Sequence, residues 1–329
     1  MLIFLISLFL LMIYKTKYQL IPIEFPLSKG NVNALRGIMA IEIVLGHTYG
    51  ARDGTELLYM NDRVGLWPVG IFFFLSGYGL MYSLHHKEHY CKGFLKKRVF
   101  QRICIPFLVV FMIRYIMYYR QQNIVKTMLT DLISNWFVTE ILLIYILWWV
   151  IYRFIDEKKA IMLWLIAITI LNIIGCIYGI ATRWYVSTAC FLVGILWEKH
   201  EKVIKAYLQY HYLKMALCSV GVWGSGTVLF LFLAKQNRWI ACICMNITCI
   251  SLCILVYLVL MKFNIGNKAT NFLGRYSWEI YLLHPTVIGY LSKISNINIL
   301  LWMILCMLII VSGSWGIHKI CSYMNKVES

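Results

Sequence analysis

Unbroken apolar runs recur along this chain, set apart by short polar stretches rich in Lys and Arg. A helix rising 1.5 Å per residue needs roughly 20 such residues to cross about 30 Å of hydrocarbon. The pattern predicts ten core spans, over 34–50, 66–84, 103–119, 136–152, 161–181, 184–197, 215–234, 239–261, 272–291 and 298–318. A shorter apolar stretch, 1–14, reaches only about 21 Å as a helix and reads as an extra N-terminal helix, spanning or half-inserted. Strands of a membrane barrel would alternate apolar and polar residues, which these runs do not. The expected fold class is therefore all-α, a polytopic transmembrane helix bundle.

Composition agrees with this. Of 329 residues, 61% are hydrophobic and 14% charged, against about 25% charged in a soluble domain. A soluble fold could not cover itself with so little polar surface. The excess of 31 basic over 14 acidic residues would suggest nucleic acid in a soluble protein. Its placement gives a different answer. Segments 15–35, 85–102, 153–160, 198–214, 262–275 and the tail from 319 carry 21 Lys and Arg, the alternate loops carry 8, and Arg36 and Arg114 fall inside spans. Cytoplasmic loops collect basic residues. Both ends of the ten-span core are thus expected inside, with the first core span running outward and the chain multi-pass in a bacterial cytoplasmic membrane. No nucleic-acid partner is expected. Nine of the 11 cysteines fall in spans, and Cys91 and Cys321 fall in segments read as cytoplasmic, so no disulfide framework is predicted. Cys242, Cys244, Cys249 and Cys253 lie on one apolar helix, where cysteine behaves as a small hydrophobe, and no metal site is predicted.

Ionisable groups inside spans are costly and mark candidate sites. The first core span carries Arg36, Glu42 and His47. Arg36 and His47 are eleven residues apart, about 20° beyond three full turns, so they share a face and lie roughly 16 Å apart along the axis. Arg36 suits an anion near the inner end, or an interfacial anchor. His47 suits proton chemistry in the outer half, or helix packing through a hydrogen bond. Glu42 lies on neither partner's face and reads as a partner for another span. In the second span Ser76 and Gly77 stand among aromatics, as close helix packing favours. Lys97, Arg98 and Arg102 form a basic patch suited to phosphate or to anionic lipid. Late in the chain Tyr281 and His284 are neighbours at i,i+3, with Pro285 following.

Together these stretches resemble the acyltransferase-3 family of integral-membrane O-acyltransferases. The likeness rests on Arg36 and His47 at the spacing of the family's first core helix, and on Phe72-Phe73-Phe74-Leu75-Ser76-Gly77-Tyr78. It continues through Arg102-Ile103-Cys104-Ile105-Pro106, Trp136-Phe137-Val138 with Tyr145, and Tyr281-Leu282-Leu283-His284-Pro285. Val99 stands where the family's basic motif usually places its first arginine, and Glu140 stands near the acidic position that many relatives have after the tryptophan. The resemblance implies a coenzyme A thioester, most simply acetyl-CoA, as donor substrate and no permanently bound cofactor. It implies that Lys97, Arg98 and Arg102, with Arg36, hold the donor's phosphates, and that His47 takes a proton from a carbohydrate hydroxyl. Glu42, Ser76, Glu140, Tyr281 and His284 are further candidates. The expected organisation is an N-terminal apolar helix and linker over 1–30, an acyltransferase-3-like membrane domain over 31–320 and a short cytoplasmic tail over 321–329, with no fused hydrolase-like domain. The alternative reading is a glycan exporter that performs no acyl transfer.

Overall fold

The structure is a computed structural model that describes residues 6, 9–10, 13–48, 50–52, 65–233, 236–294 and 297–327. Most of the 1–14 stretch and of the loop 51–65 lies outside the described residues. Among those described there are thirteen helices and one two-stranded ladder, in which Lys17–Tyr18 (β1) pairs antiparallel with Phe263–Asn264 (β2). Among the described residues seven helices are long and apolar enough to cross a membrane, and the protein is an all-α, multi-pass membrane protein.

The seven are α2 (Leu66–His86), α3 (Leu95–Tyr119), α5 (Trp136–Phe154), α6 (Glu157–Ile177), α9 (Tyr212–Leu233), α10 (Arg238–Lys262) and α13, whose apolar stretch is Ile299–Asn325. Three predicted spans fall short of that standard for different reasons. The first is α1 (Lys29–Thr48), which is long enough but carries Arg36 and Glu42 in its middle. The span expected over 184–197 is α7 (Ala189–Lys199), whose 11 residues rise only about 16 Å. The span expected over 272–291 is broken at Tyr276 into α11 (Lys268–Arg275) and α12 (Ser277–Leu291). Two further helices, α4 (Ile124–Ser134) and α8 (Glu201–Tyr210), occupy stretches expected to be loops.

Local chemistry explains several of the helix starts. Asn123 Oδ1 accepts from the Lys126 N–H at 3.0 Å and caps α4. Asn237 caps α10 by accepting from the N–H groups of Trp239 and Ile240. At α11 the cap is reciprocal, since Asn267 Oδ1 accepts from the Thr270 N–H and Thr270 Oγ1 accepts from the Asn267 N–H. Helix α3 departs from α-geometry. Over Leu95–Cys104 it winds with i→i+5 bonds, ending where Ile105 N–H donates to the Phe100 carbonyl. Pro106 follows directly; it has no N–H to give, and its ring displaces the carbonyl four residues back, which favours a widened turn.

The chain divides into two compact units, one formed by residues 1–46, 58–88 and 161–275 and the other by 47–57, 89–160 and 276–329. The division falls within α1, just before His47. In the first unit α2 packs on α7 and α10. Trp197 of α7 stands edge-on to Phe74 at 5.5 Å and to Tyr257 of α10 at 4.9 Å. Helix α1 meets α11 at glycine: a Cβ on Gly37 would run into the Thr270 carbonyl, and one on Gly274 into that of Asn33. In the second unit α12 packs on α13 and α3, and α5 packs on the widened part of α3.

Candidate active site

The second unit gathers the chemistry-bearing side chains around α12. His47, in the last turn of α1, faces His284 with ring centroids 4.9 Å apart and planes tilted by 41°. Tyr281, one turn before His284, lies 5.5 Å from it, ring to ring. Phe137, at the start of α5, stands edge-on to Tyr281 at 5.0 Å, Trp278 stacks on Tyr281 at 5.9 Å, and Phe137 and Trp278 lie 6.3 Å apart. An aromatic wall thus seats the tyrosine beside the histidine pair. His284 is only 2% exposed. Its Nδ1 lies 2.6 Å from the Tyr281 carbonyl oxygen. A carbonyl can only accept, so Nδ1 donates, and the neutral ring keeps its lone pair on Nε2. That Nε2 is buried and has no hydrogen-bond partner among the described residues.

A second polar assembly lies two residues further along α12. Arg114 of α3 pairs with Asp131 of α4, donates to Thr286 Oγ1 at 3.0 Å, and reaches the Leu282 carbonyl at 3.3 Å. Its side chain is 12% exposed and that of Asp131 is 9%. Burial sets a desolvation cost against the attraction within this pair and makes the loss of one partner alone costly. Tyr118, one turn beyond Arg114, donates to the Thr286 carbonyl, so α3 holds α12 at two successive turns.

The basic residues of α3 form a separate group. Lys97 and Arg102 are exposed, Arg98 is half-buried, and the Arg98 guanidinium lies 5.8 Å over the Tyr90 ring. Arg98 and Arg102 remain on neighbouring positions of one side, because i→i+5 winding places slightly more than four residues in a turn. Beneath them Phe94 packs on Trp148 at 5.1 Å and on Tyr145 at 6.1 Å, and Trp149 Nε1 donates to the Cys91 carbonyl. This tether links Tyr145 of the predicted α5 motif to the basic segment. Near the start of α12, Glu279 bonds His318 Nδ1 at 2.7 Å.

The sequence-predicted residues therefore fall into three places. His47, Tyr281 and His284 come together, and Lys97, Arg98 and Arg102 form the basic segment. Arg36, Glu42 and Ser76 are half-buried in the first unit, the first two on α1 and the third on α2. Glu140 of α5 is 5% exposed, and neither carboxyl oxygen has a partner among the described residues. Asp131, Thr286, Glu279 and His318 were missed by sequence reasoning. A signal for Asp131 existed, since Arg114 within an apolar run demands a counter-charge. Among the described residues no group of three metal-ligating side chains is placed to hold a metal ion.

These helices define a polytopic α-helical membrane protein with a cluster of buried polar groups around α12. Comparison with known families then gives the particular one. The family model of the acyltransferase domain matches residues 29–319, and the chain belongs to this acyltransferase-3 family, a family of membrane acyltransferases. No curated protein matches the chain. No solved structure matches it.

Proposed function

We propose that this protein moves an acyl group, most simply acetyl, from a cytoplasmic coenzyme A thioester to a hydroxyl of a cell-envelope or exported glycan. The observation that carries this reading is the contact of His47 with His284, a pair of imidazoles where acid–base chemistry is needed. In this reading Lys97, Arg98 and Arg102 hold the phosphates of the donor through charge-assisted hydrogen bonds. Arg36, three turns before His47 on the same face of α1, is a further cation suited to an anionic part of the donor. His47 removes the hydroxyl proton as the oxygen attacks the thioester carbonyl. The O–C bond forms, the C–S bond breaks, and the thiolate takes up the proton to leave as coenzyme A. The lysines and arginines of the basic segment favour the cytoplasmic side for it, where the donor is made.

The test uses membrane vesicles from cells expressing the chain, supplied with acetyl-CoA labelled in the acetyl group. Label is expected in a glycan fraction as a hydroxylamine-sensitive ester. His47→Gln keeps hydrogen bonding but cannot carry the proton, and transfer should fall by about 10² to 10⁴ at normal protein levels. Folded, monodisperse His47→Gln that transfers label normally removes His47 from the chemistry. A wild-type protein that moves glycan and transfers no label is an exporter.

A further inference from the structure

Proline is a poor residue for a helix interior, yet Pro285 sits within α12 beside the most deeply buried histidine of the pair. Its effect can be followed atom by atom. In a regular helix the N–H of residue 285 would bond the carbonyl of residue 281. Pro285 has no N–H, so the Tyr281 carbonyl loses that donor. His284 Nδ1 takes its place at 2.6 Å. The ring is thereby anchored with Nδ1 protonated, and the Nε2 lone pair has no partner among the described residues in a buried site, beside the His47 ring. The next carbonyl, Leu282, is met by Arg114 at 3.3 Å, so a side chain from α3 also serves this turn of the helix. Buried polar atoms without partners are uncommon, and each calls for an explanation.

We propose that Pro285 sets the tautomer of His284, and that His284 Nε2 is the acceptor in a two-imidazole relay with His47. The proposal rests on the reading of His47 as the base. As the acceptor oxygen gives its proton to one nitrogen of His47, the other nitrogen, which is not hydrogen-bonded to His284 in this structure, turns to His284 Nε2 and passes its proton there. When the C–S bond breaks the protons run back, one ending on the leaving sulfur, and both imidazoles end as they began. His284 acts through His47 and is a positioning residue for the proton. Pro285 acts one step further back.

The test combines activity with a direct view of the ring. In the vesicle assay with labelled acetyl-CoA, His284→Gln should lose about 10²-fold in transfer, with a changed pH–rate profile. Pro285→Ala restores the N–H that competes for the Tyr281 carbonyl while keeping the helix. It should lose roughly tenfold, the worth of one such hydrogen bond. Imidazole ¹⁵N shifts of the histidine-labelled wild-type protein should show His284 protonated at Nδ1 and bare at Nε2, and Pro285→Ala should lose that preference. A wild-type His284 protonated at Nε2 overturns the proposal whatever the variants do. So does an inactive His47→Gln beside a fully active His284→Gln, which leaves His47 acting alone. If His47→Gln is itself fully active, the base assignment falls and takes the relay with it.

Discussion

Gly77 of α2 and Gly194 of α7 face each other so closely that neither has room for a methyl group. A Cβ on Gly77 would run into the Phe191 carbonyl oxygen, and one on Gly194 into that of Phe74. Each helix thus lies against the other's backbone, which is how small residues hold helices together where lipid gives no hydrophobic drive. The half-buried Ser76 is carried beside this crossing.

Gly77→Ala and Gly194→Ala should therefore each destabilise the protein by about 1–3 kcal/mol, the usual cost of overpacking. Gly221 of α9 has open space around its Cβ position and serves as the control. Thermal unfolding in detergent, followed by monodisperse elution, should show a lowered midpoint for the first two and little change for Gly221→Ala.

The Arg114–Asp131 pair allows a double-mutant cycle. Removing one member of a buried pair leaves the other charge uncompensated and should cost about 3–5 kcal/mol. Arg114→Met with Asp131→Leu together should cost less than the sum of the singles. Additive losses, measured by the same unfolding assay, would show the two side chains to be energetically independent.

Arg102→Ala should weaken binding of a coenzyme A thioester by about 1.5–3 kcal/mol, the range for a hydrogen bond to a charged group. Because Arg102 is exposed, the deficit should shrink as salt rises and screens the wild-type contact. Unchanged donor affinity with impaired membrane insertion would instead make Arg102 an interfacial anchor.

The charge count makes a prediction about sidedness. In a cysteine-free background, a single cysteine at Gln122 should react with an impermeant thiol reagent from outside, and one at Lys92 should not. Both positions are exposed. The reverse pattern would invert the orientation and place the basic segment of α3 on the wrong side for a cytoplasmic donor.

Much of this architecture was legible in the sequence, because apolar run length reports directly on membrane helices. The runs over 66–84, 136–152 and 239–261 correspond to α2, α5 and α10, each a little longer than its run. Helix α7 was harder to read, since an 11-residue helix and the approach to it together carry as many apolar residues as a span. Helix α4 was missed because its buried face is only Thr127 and Asp131, a polar face that hydropathy reads as a loop. For the site, Tyr281 and His284 could be paired from their spacing. The meeting of His47 with His284 could not, since 237 positions separate 47 from 284 and no local pattern reports on such a contact. Glu279 with His318 was hidden for the same reason. The i→i+5 winding of α3 left only Pro106 as a trace.

That winding also gives α3 slack. A turn closed by i→i+5 bonds holds one residue more than an α-turn requires. Removing one residue between Leu95 and Cys104 would let the segment tighten into ordinary helix, while Ile105–Tyr119 kept its seat on α12. Arg98 would keep nearly its present side, since six α-steps of about 100° turn the chain about as far as seven steps of the wider winding. The segment can therefore lose a residue without turning the protein's positive face.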